Sequence, residues 1–389
     1  MKIIHMADIH IDQRKTVNGR IIEDPATSLN IRMKDLADCM DKVASFAAQN
    51  GCDLFLIAGD IFERPIPLPI EYLWAMRLLT KLTGTAPVVA VAGNHDGEKA
   101  ARILSFLRNV TVLDPFEEFT MGDLRVIGIP YPDPKVYQSF FPGPNTKSME
   151  ECLRERLKTV SRDGRFTIAL GHTNIATART PSGREVVGET TLTPKDLSGF
   201  DYAAWGHIHR AQVIGKVHYP GSLDIQNYDE KDEKKGFFYL DTATGKADFI
   251  EIHTRPVKTF HFTYPNLPTV SRPDVRDAIC KVTVEISESD FPALNQEDLT
   301  KYFPDALDVD VCPQVVHHQR IRAESAKGAT GIMDYLNVYL EAHPEEDLDI
   351  DRIKKRIREL CTEAGIACTE SRDIDIPGDE HPEKEPKAA

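Results

Sequence analysis

Within residues 1–255, short apolar runs recur at Ile3–Ile4, Leu54–Ile57, Val88–Val91, Val126–Ile129, Thr167–Leu170 and Tyr202–Trp205. They are apolar at consecutive rather than alternate positions, which predicts strands buried on both faces. Between the first two runs, Met33, Leu36, Met40, Val43 and Ala47 repeat at helical spacing. That spacing predicts an amphipathic helix, with Asn30 placed to cap its start and Gly51 its end. A second helix is expected from about Glu71 to Leu82, stopped by Gly84. Strand, helix and strand in repetition predict a layered α/β domain.

The pattern shifts near Arg255-Pro256. Strands are expected at Lys258–Thr263 and Ile279–Ile286, a short helix near Gln296–Tyr302 and a last strand around Val315–Ile321, making a small α+β module. Ser325–Thr330 reads as a linker. Two helices follow at Ile332–Ala342 and Ile350–Ala364, the second with Ile353, Ile357, Leu360 and Cys361 on one face. The tail from Pro377 is rich in Pro, Glu and Lys, a composition that favours disorder. The expected divisions are therefore 1–255, 256–324, 325–375 and 376–389.

Composition narrows the function. A chain of 389 residues, 41% hydrophobic, can bury a sizeable core. No apolar run is long enough to cross a bilayer, and Met1-Lys2-Ile3-Ile4-His5 does not read as a signal peptide. Seven scattered cysteines without a CxxC pair fit reduced thiols in a cytoplasmic setting. The net charge of -14 is uneven: residues 1–255 hold 31 basic and 34 acidic side chains, and residues 256–389 hold 16 and 27. Such a balance opposes contact with phosphates. Two divalent cations in the first part would reverse its charge locally, and affinity for DNA would then lean on a partner.

Candidate chemistry sits where the apolar runs end. Asp8-Ile9-His10 follows the first, Gly59-Asp60 the second and Gly93-Asn94-His95-Asp96 the third. Later runs end in Gly171-His172 and Gly206-His207-Ile208-His209. Ligands gather at the carboxyl edge of a sheet in α/β proteins, so these groups can converge. Carboxylate, imidazole and amide oxygen without thiolate suit manganese, iron, magnesium or zinc. Asp8 and His10 point the same way on an extended segment. Asp60 can bridge two ions roughly 3.5–4 Å apart. The glycines at 59, 93, 171 and 206 let the backbone turn sharply beside the cluster. A lone DxH or GD binds metal no more than roughly one time in ten, and is more often a turn or a helix cap. Seven potential ligands in five segments, all at strand ends, are hard to explain that way.

The set DxH, GD, GNH, GH and GHxH resembles the calcineurin-like metallophosphoesterase superfamily. The resemblance implies a layered β-sandwich core flanked by helices, with two divalent metals, manganese foremost. One metal would take Asp8, His10, Asp60 and His209, and the other Asp60, Asn94, His172 and His207. His95 would serve as acid or orienting residue for the phosphate, with Asp96 as its partner. Arg64 and Arg210 flank ligands directly and are the expected phosphate contacts.

Finer features are similar to the SbcD nuclease family: Gly59-Asp60-Ile61-Phe62-Glu63-Arg64-Pro65, Tyr219-Pro220-Gly221-Ser222-Leu223 and Lys235-Gly236. That likeness implies a DNA exonuclease and endonuclease acting in double-strand break repair. The module after Arg255-Pro256 would be a DNA-capping domain. The two C-terminal helices would dock on the coiled coil of an SMC-like ABC ATPase of SbcC type, in an assembly holding two copies of each protein. The chain has no GxxxxGK[ST] loop, so ATP dependence would come from that partner. The alternative is a small-molecule phosphatase or phosphodiesterase on the same metals, against which the large second half and Phe62, Arg64 and Pro65 count. A scaffold that lost the chemistry should lack ligands, and none is missing.

Overall fold

The computed structural model describes residues 1–137, 140–141, 147–160, 163–186, 188, 190–266, 274–316, 331–342 and 349–364. Two six-stranded sheets form its centre. The first runs in the order Lys246–Glu251, Gly236–Asp241, Lys2–Met6, Leu54–Ala58, Val88–Val91, Val110–Leu113. Its last four strands are parallel, with Ile3 opposite Leu54 and Ala58 opposite Val91. The second runs Gln212–Ile214, Val217–Tyr219, Tyr202–Gly206, Phe166–His172, Leu124–Ile129, Glu118–Met121. There Tyr202–Gly206, Phe166–His172 and Leu124–Ile129 are parallel, with Gly206 opposite His172.

The central strands bury both faces, and their alternate residues enter different layers of core. Ile3, Leu54, Leu56, Val89 and Val91 meet Val126, Ile168, Leu170 and Ala204 between the sheets. Ile4, Met6, Phe55, Ile57, Val88 and Ala90 face outward onto the helices Ile31–Asn50 and Pro69–Thr83. Ile127, Ala169, Ala203 and Trp205 face the other way, towards Leu153 and Leu157 on the helix Met149–Lys158. Consecutive apolar positions arise from this arrangement, which is a helix–sheet–sheet–helix sandwich. The stripe Met33, Leu36, Met40, Val43 and Ala47 is buried, and each large side chain in it contributes about 1.5–3 kcal/mol. Asn30 caps that helix by accepting from the Arg32 N–H, and Gly51 ends it at φ 79°.

The chain divides into two compact units: residues 1–284 with 295–313, and residues 285–294 with 314–389. A three-stranded sheet orders Val257–Thr263, Ile279–Ser287 and Asp308–Val316. Its last strand starts before the expected Val315, because the alternation Asp308-Val309-Asp310-Val311 is masked by carboxylates that disfavour strands. Residues 317–321 of the expected strand, the linker at 325–330 and the tail from 377 lie outside the described residues. In the second unit the helices Ile332–Ala342 and Ile350–Glu363 pack on one another. Cys361 is buried there, whereas Leu360 is exposed rather than part of a covered stripe. No helix among the described residues is long and apolar enough to cross a membrane.

Candidate metal centre

Five parallel strands, three from one sheet and two from the other, end at a common edge of the sandwich. Asp8 and His10 follow Lys2–Met6, Asp60 follows Leu54–Ala58, and Asn94 follows Val88–Val91. His172 closes Phe166–His172, and His207 and His209 follow Tyr202–Gly206. The first two turns are laced together: the N–H groups of Ile9 and His10 donate to the Asp60 carbonyl at 2.8 and 3.0 Å. Asp8, His10, Asp60 and His207 all sit at positive φ, between 51° and 100°. Each such backbone costs of order 1–3 kcal/mol for a residue other than glycine, and strain of this kind collects where side chains must be aimed.

The glycines serve the centre in two ways. Gly59 has φ 82°, so it does turn the chain. At Gly93 and Gly206 the need is space: a Cβ would lie 2.1 Å from Asp60 Oδ1 and 1.9 Å from the Ala58 carbonyl, respectively.

The imidazoles converge in pairs. His10 Nε2 and His209 Nε2 stand 3.0 Å apart. His10 Nδ1 lies 2.7 Å from the Glu63 carboxylate, and His209 Nδ1 lies 2.8 Å from that of Glu230. With Nδ1–H given to Glu230, His209 turns the lone pair of Nε2 toward the point where His10 Nε2 also stands. Two lone pairs facing one another repel unless a positive charge lies between them. Asp8 belongs to the same group of convergent donors.

At the second point, His172 Nδ1 donates to the Ala58 carbonyl at 2.8 Å. Its Nε2 then faces Asn94 Oδ1 at 3.0 Å and Asp60 Oδ2 at 3.2 Å. His207 Nδ1 is 2.9 Å from the same Asn94 oxygen. Asp60 Oδ2 also lies 3.8 Å from His10 Nε2, so one carboxylate oxygen stands between the two points. All seven sequence-predicted ligands thus come together, and their donor set fits two hard or borderline divalent cations.

The protons respond to the same geometry. Burial disfavours charge on His172, but the adjacent Asp60 carboxylate outweighs it and raises the imidazole pKa to about 9. Burial raises the Asp60 pKa, but His172 and His10 together pull it below the usual carboxylate range. Burial and the neighbouring His172 push His207 down to about 3. Buried carboxylates packed this closely are held only with protons or metal ions beside them.

One sequence expectation changes here. Asp96 does not partner His95: it is fully buried and accepts from the Phe62 and Gly93 N–H groups at 2.7 and 2.9 Å. Its two oxygens are spent clamping the Gly93–Asp96 turn to the Asp60 turn, so it is a positioning residue. His95 instead places Nδ1 3.0 Å from the Glu63 carbonyl, while its side chain remains 38% exposed. Glu63, missed as a site residue, therefore touches both His10 and His95. Its only sequence signal is a carboxylate three residues after Asp60. Tyr131 was also missed, and its ring centroid lies 5.9 Å from that of His207. Arg64 and Arg210 are half-exposed and lie 3.5 Å from Asp12 and 3.6 Å from Glu233, respectively, within ion-pair but beyond hydrogen-bond distance.

An α/β sandwich whose joined sheet edges gather paired carboxylates and imidazoles has the makings of a dinuclear metalloprotein. The chain belongs to the calcineurin-like phosphoesterase family, whose model matches residues 1–211. A family of this kind implies a hydrolase acting on phosphoesters with divalent metals. Over 270 residues, 62% of this chain, it is 23% identical to the SbcD component of the SbcCD nuclease of Staphylococcus epidermidis. The match spans 66% of that protein, just under two thirds of its length. Among solved structures, an archaeal phosphodiesterase is 14% identical with a TM-score of 0.32, covering 65% of this chain and 100% of that one. A purple acid phosphatase from yellow lupin seeds is 11% identical with a TM-score of 0.37, covering 64% and 52%. The sandwich itself, not these overlaps, defines the fold.

Proposed function

We propose that this chain is a two-metal phosphodiesterase acting on DNA, the nuclease component of an SbcCD-like assembly. The observation that carries the chemistry is the pair of donor clusters sharing Asp60. Asp8, His10, Asp60 and His209 would hold one cation, and Asp60, Asn94, His172 and His207 the other. Two divalent cations, manganese foremost, supply a water of lowered pKa and positive charge for the phosphoryl oxygens. The protein's own residues do the rest. Glu63 orients His95 through Nδ1, which leaves Nε2 to face the substrate. Protonated, that ring can donate to a non-bridging oxygen or to the departing 3′-oxygen. Arg64 and Arg210 extend the cationic surface toward neighbouring phosphates.

The DNA substrate is favoured by the likeness to the SbcD nuclease and by the Phe62-Glu63-Arg64-Pro65 run. Exonuclease action on double-stranded ends and endonuclease action on single-stranded or hairpin DNA, in double-strand break repair, follow from that reading. So does the division into a nuclease domain at 1–255, a capping domain at 256–324, an ATPase-docking region at 325–375 and an acidic tail at 376–389. Tyr335 and Tyr339, 56% and 55% exposed on the helix Ile332–Ala342, suit docking to the coiled coil of an SMC-like ATPase. The assembly would hold two copies of each protein in the cytoplasm. A partner also answers the net charge of -14, which by itself repels DNA.

The test is degradation of linear double-stranded and single-stranded DNA by the purified chain with manganese, beside His95→Asn. Cleavage should fall by about 10²–10⁴-fold in the variant, the usual contribution of a positioned acid, with manganese content unchanged. Full activity in the variant would remove His95 from the chemistry. Rapid hydrolysis of a small phosphodiester by a wild-type chain that leaves DNA intact would keep the centre and replace the substrate.

A further inference from the structure

Glu230 and Lys235 form an ion pair at 2.6 Å with both side chains 1% exposed. Taking two charges out of water is costly, and apolar residues of the same volume usually serve stability as well or better. The pair is therefore poorly explained by stability alone, and its surroundings point elsewhere. Glu230 Oε1 lies 2.8 Å from His209 Nδ1 and 3.2 Å from Asn227 Nδ2. Its Oε2 accepts from the Gln226 N–H at 3.0 Å and from Lys235 Nζ, with Ser222 Oγ also 3.0 Å away. Lys235 Nζ in turn reaches the His209 backbone carbonyl at 3.2 Å and Ser222 Oγ at 2.7 Å. Anion and cation thus grip one residue at both ends, the carboxylate at its ring and the ammonium at its main chain.

We propose that Glu230, supported by Lys235, is the positioning residue for His209, aiming its Nε2 at the point shared with His10 and setting the affinity of the cation held there. This rests on the two-cation reading of the centre. Glu230 leaves His209 one acceptable tautomer, with the proton on Nδ1. Ser222, Gln226 and Asn227 occupy the remaining lone pairs of the carboxylate, so it cannot swing to bind the metal itself. The effect belongs to one of the two cation positions. At the other, His172 rests on the neutral Ala58 carbonyl and His207 offers Nδ1 directly toward Asn94 Oδ1.

Equilibrium titration of the full chain with manganese, paired with thermal melting in EDTA, tests the assignment. Glu230→Ala should weaken one of two bound cations by about 10–100-fold and leave the other unchanged. Glu230→Gln, which keeps the shape and one acceptor oxygen, should lose less. Because alanine leaves Lys235 buried without its partner, the double variant Glu230→Gln/Lys235→Met removes both charges at similar volume. It should melt in EDTA close to wild type and still bind one cation more weakly. Adding Glu230→Ala to His209→Gln should cost no further affinity, as expected when one residue acts through the other. Wild-type affinity for both cations in the Glu230 variants would overturn the proposal, as would equal weakening of both in step with a lower melting temperature. A wild-type chain that binds fewer than two cations would overturn the two-cation reading instead.

Discussion

Replacing Asp60 with Asn should empty both cation positions and lower phosphodiester hydrolysis by at least about 10³-fold. The estimate starts from the ~10²–10³-fold cost of deleting a single preorganised donor, and Asp60 serves two cations at once. Its Oδ2 lies 3.2 Å from His172 Nε2 and 3.8 Å from His10 Nε2, so this one oxygen stands between the two points. Its Oδ1 accepts from the His95 N–H at 2.8 Å. An amide either loses the shared negative oxygen, or keeps an oxygen there and turns its NH₂ toward the His95 N–H, which displaces His95. Metal analysis and turnover of a small phosphodiester measure the effect, with circular dichroism to show that the sandwich persists. Two cations retained at near-normal turnover would contradict the shared role of Asp60.

The second large effect is pH dependence of metal binding. In the metal-free centre, Asp60 raises the His172 pKa to about 9 against the opposing cost of burial. Below that pH the ring carries a proton on the nitrogen that faces Asp60 and Asn94, and a cation must displace it. Affinity at that position should therefore rise with pH and level off near 9. Between pH 9 and pH 6 the single proton on His172 accounts for about 10³-fold, tenfold per pH unit. His207, pushed down to about 3, stays neutral across this range and adds nothing. His209, disfavoured by burial but raised by its hydrogen bond to Glu230, changes in the same direction as His172. Manganese titrations at several pH values, with proton release followed in two buffers, read the slope. A flat profile from pH 6 to 9 would mean that no proton leaves His172 on binding.

Much of this was legible in the sequence because buried strands, a capped helix and turn glycines each leave a local signature. The five strand-end segments mark all seven candidate donors, which the structure brings together. What stayed hidden depends on long-range placement. The edge strands Glu118–Met121 and Lys246–Glu251 mix polar and apolar residues, so no consecutive run marks them. Asp96 sits beside His95 in the chain, yet the turn points its carboxylate to the Phe62 and Gly93 amides, which sequence adjacency cannot reveal. Glu63 and Glu230 act through imidazole nitrogens that face away from the cations. Glu230 is 21 residues from His209, with no periodicity to link the two.

The central claim is a pair of cations sharing Asp60, and electron paramagnetic resonance of the manganese-saturated chain tests it most directly. Two manganese ions roughly 3.5–4 Å apart are magnetically coupled. The spectrum at saturation should be that of a coupled pair, and Asp60→Asn should lose the protein-bound signal. A saturated wild-type chain showing only the resolved hyperfine pattern of isolated manganese would contradict the dinuclear centre and the mechanism built on it.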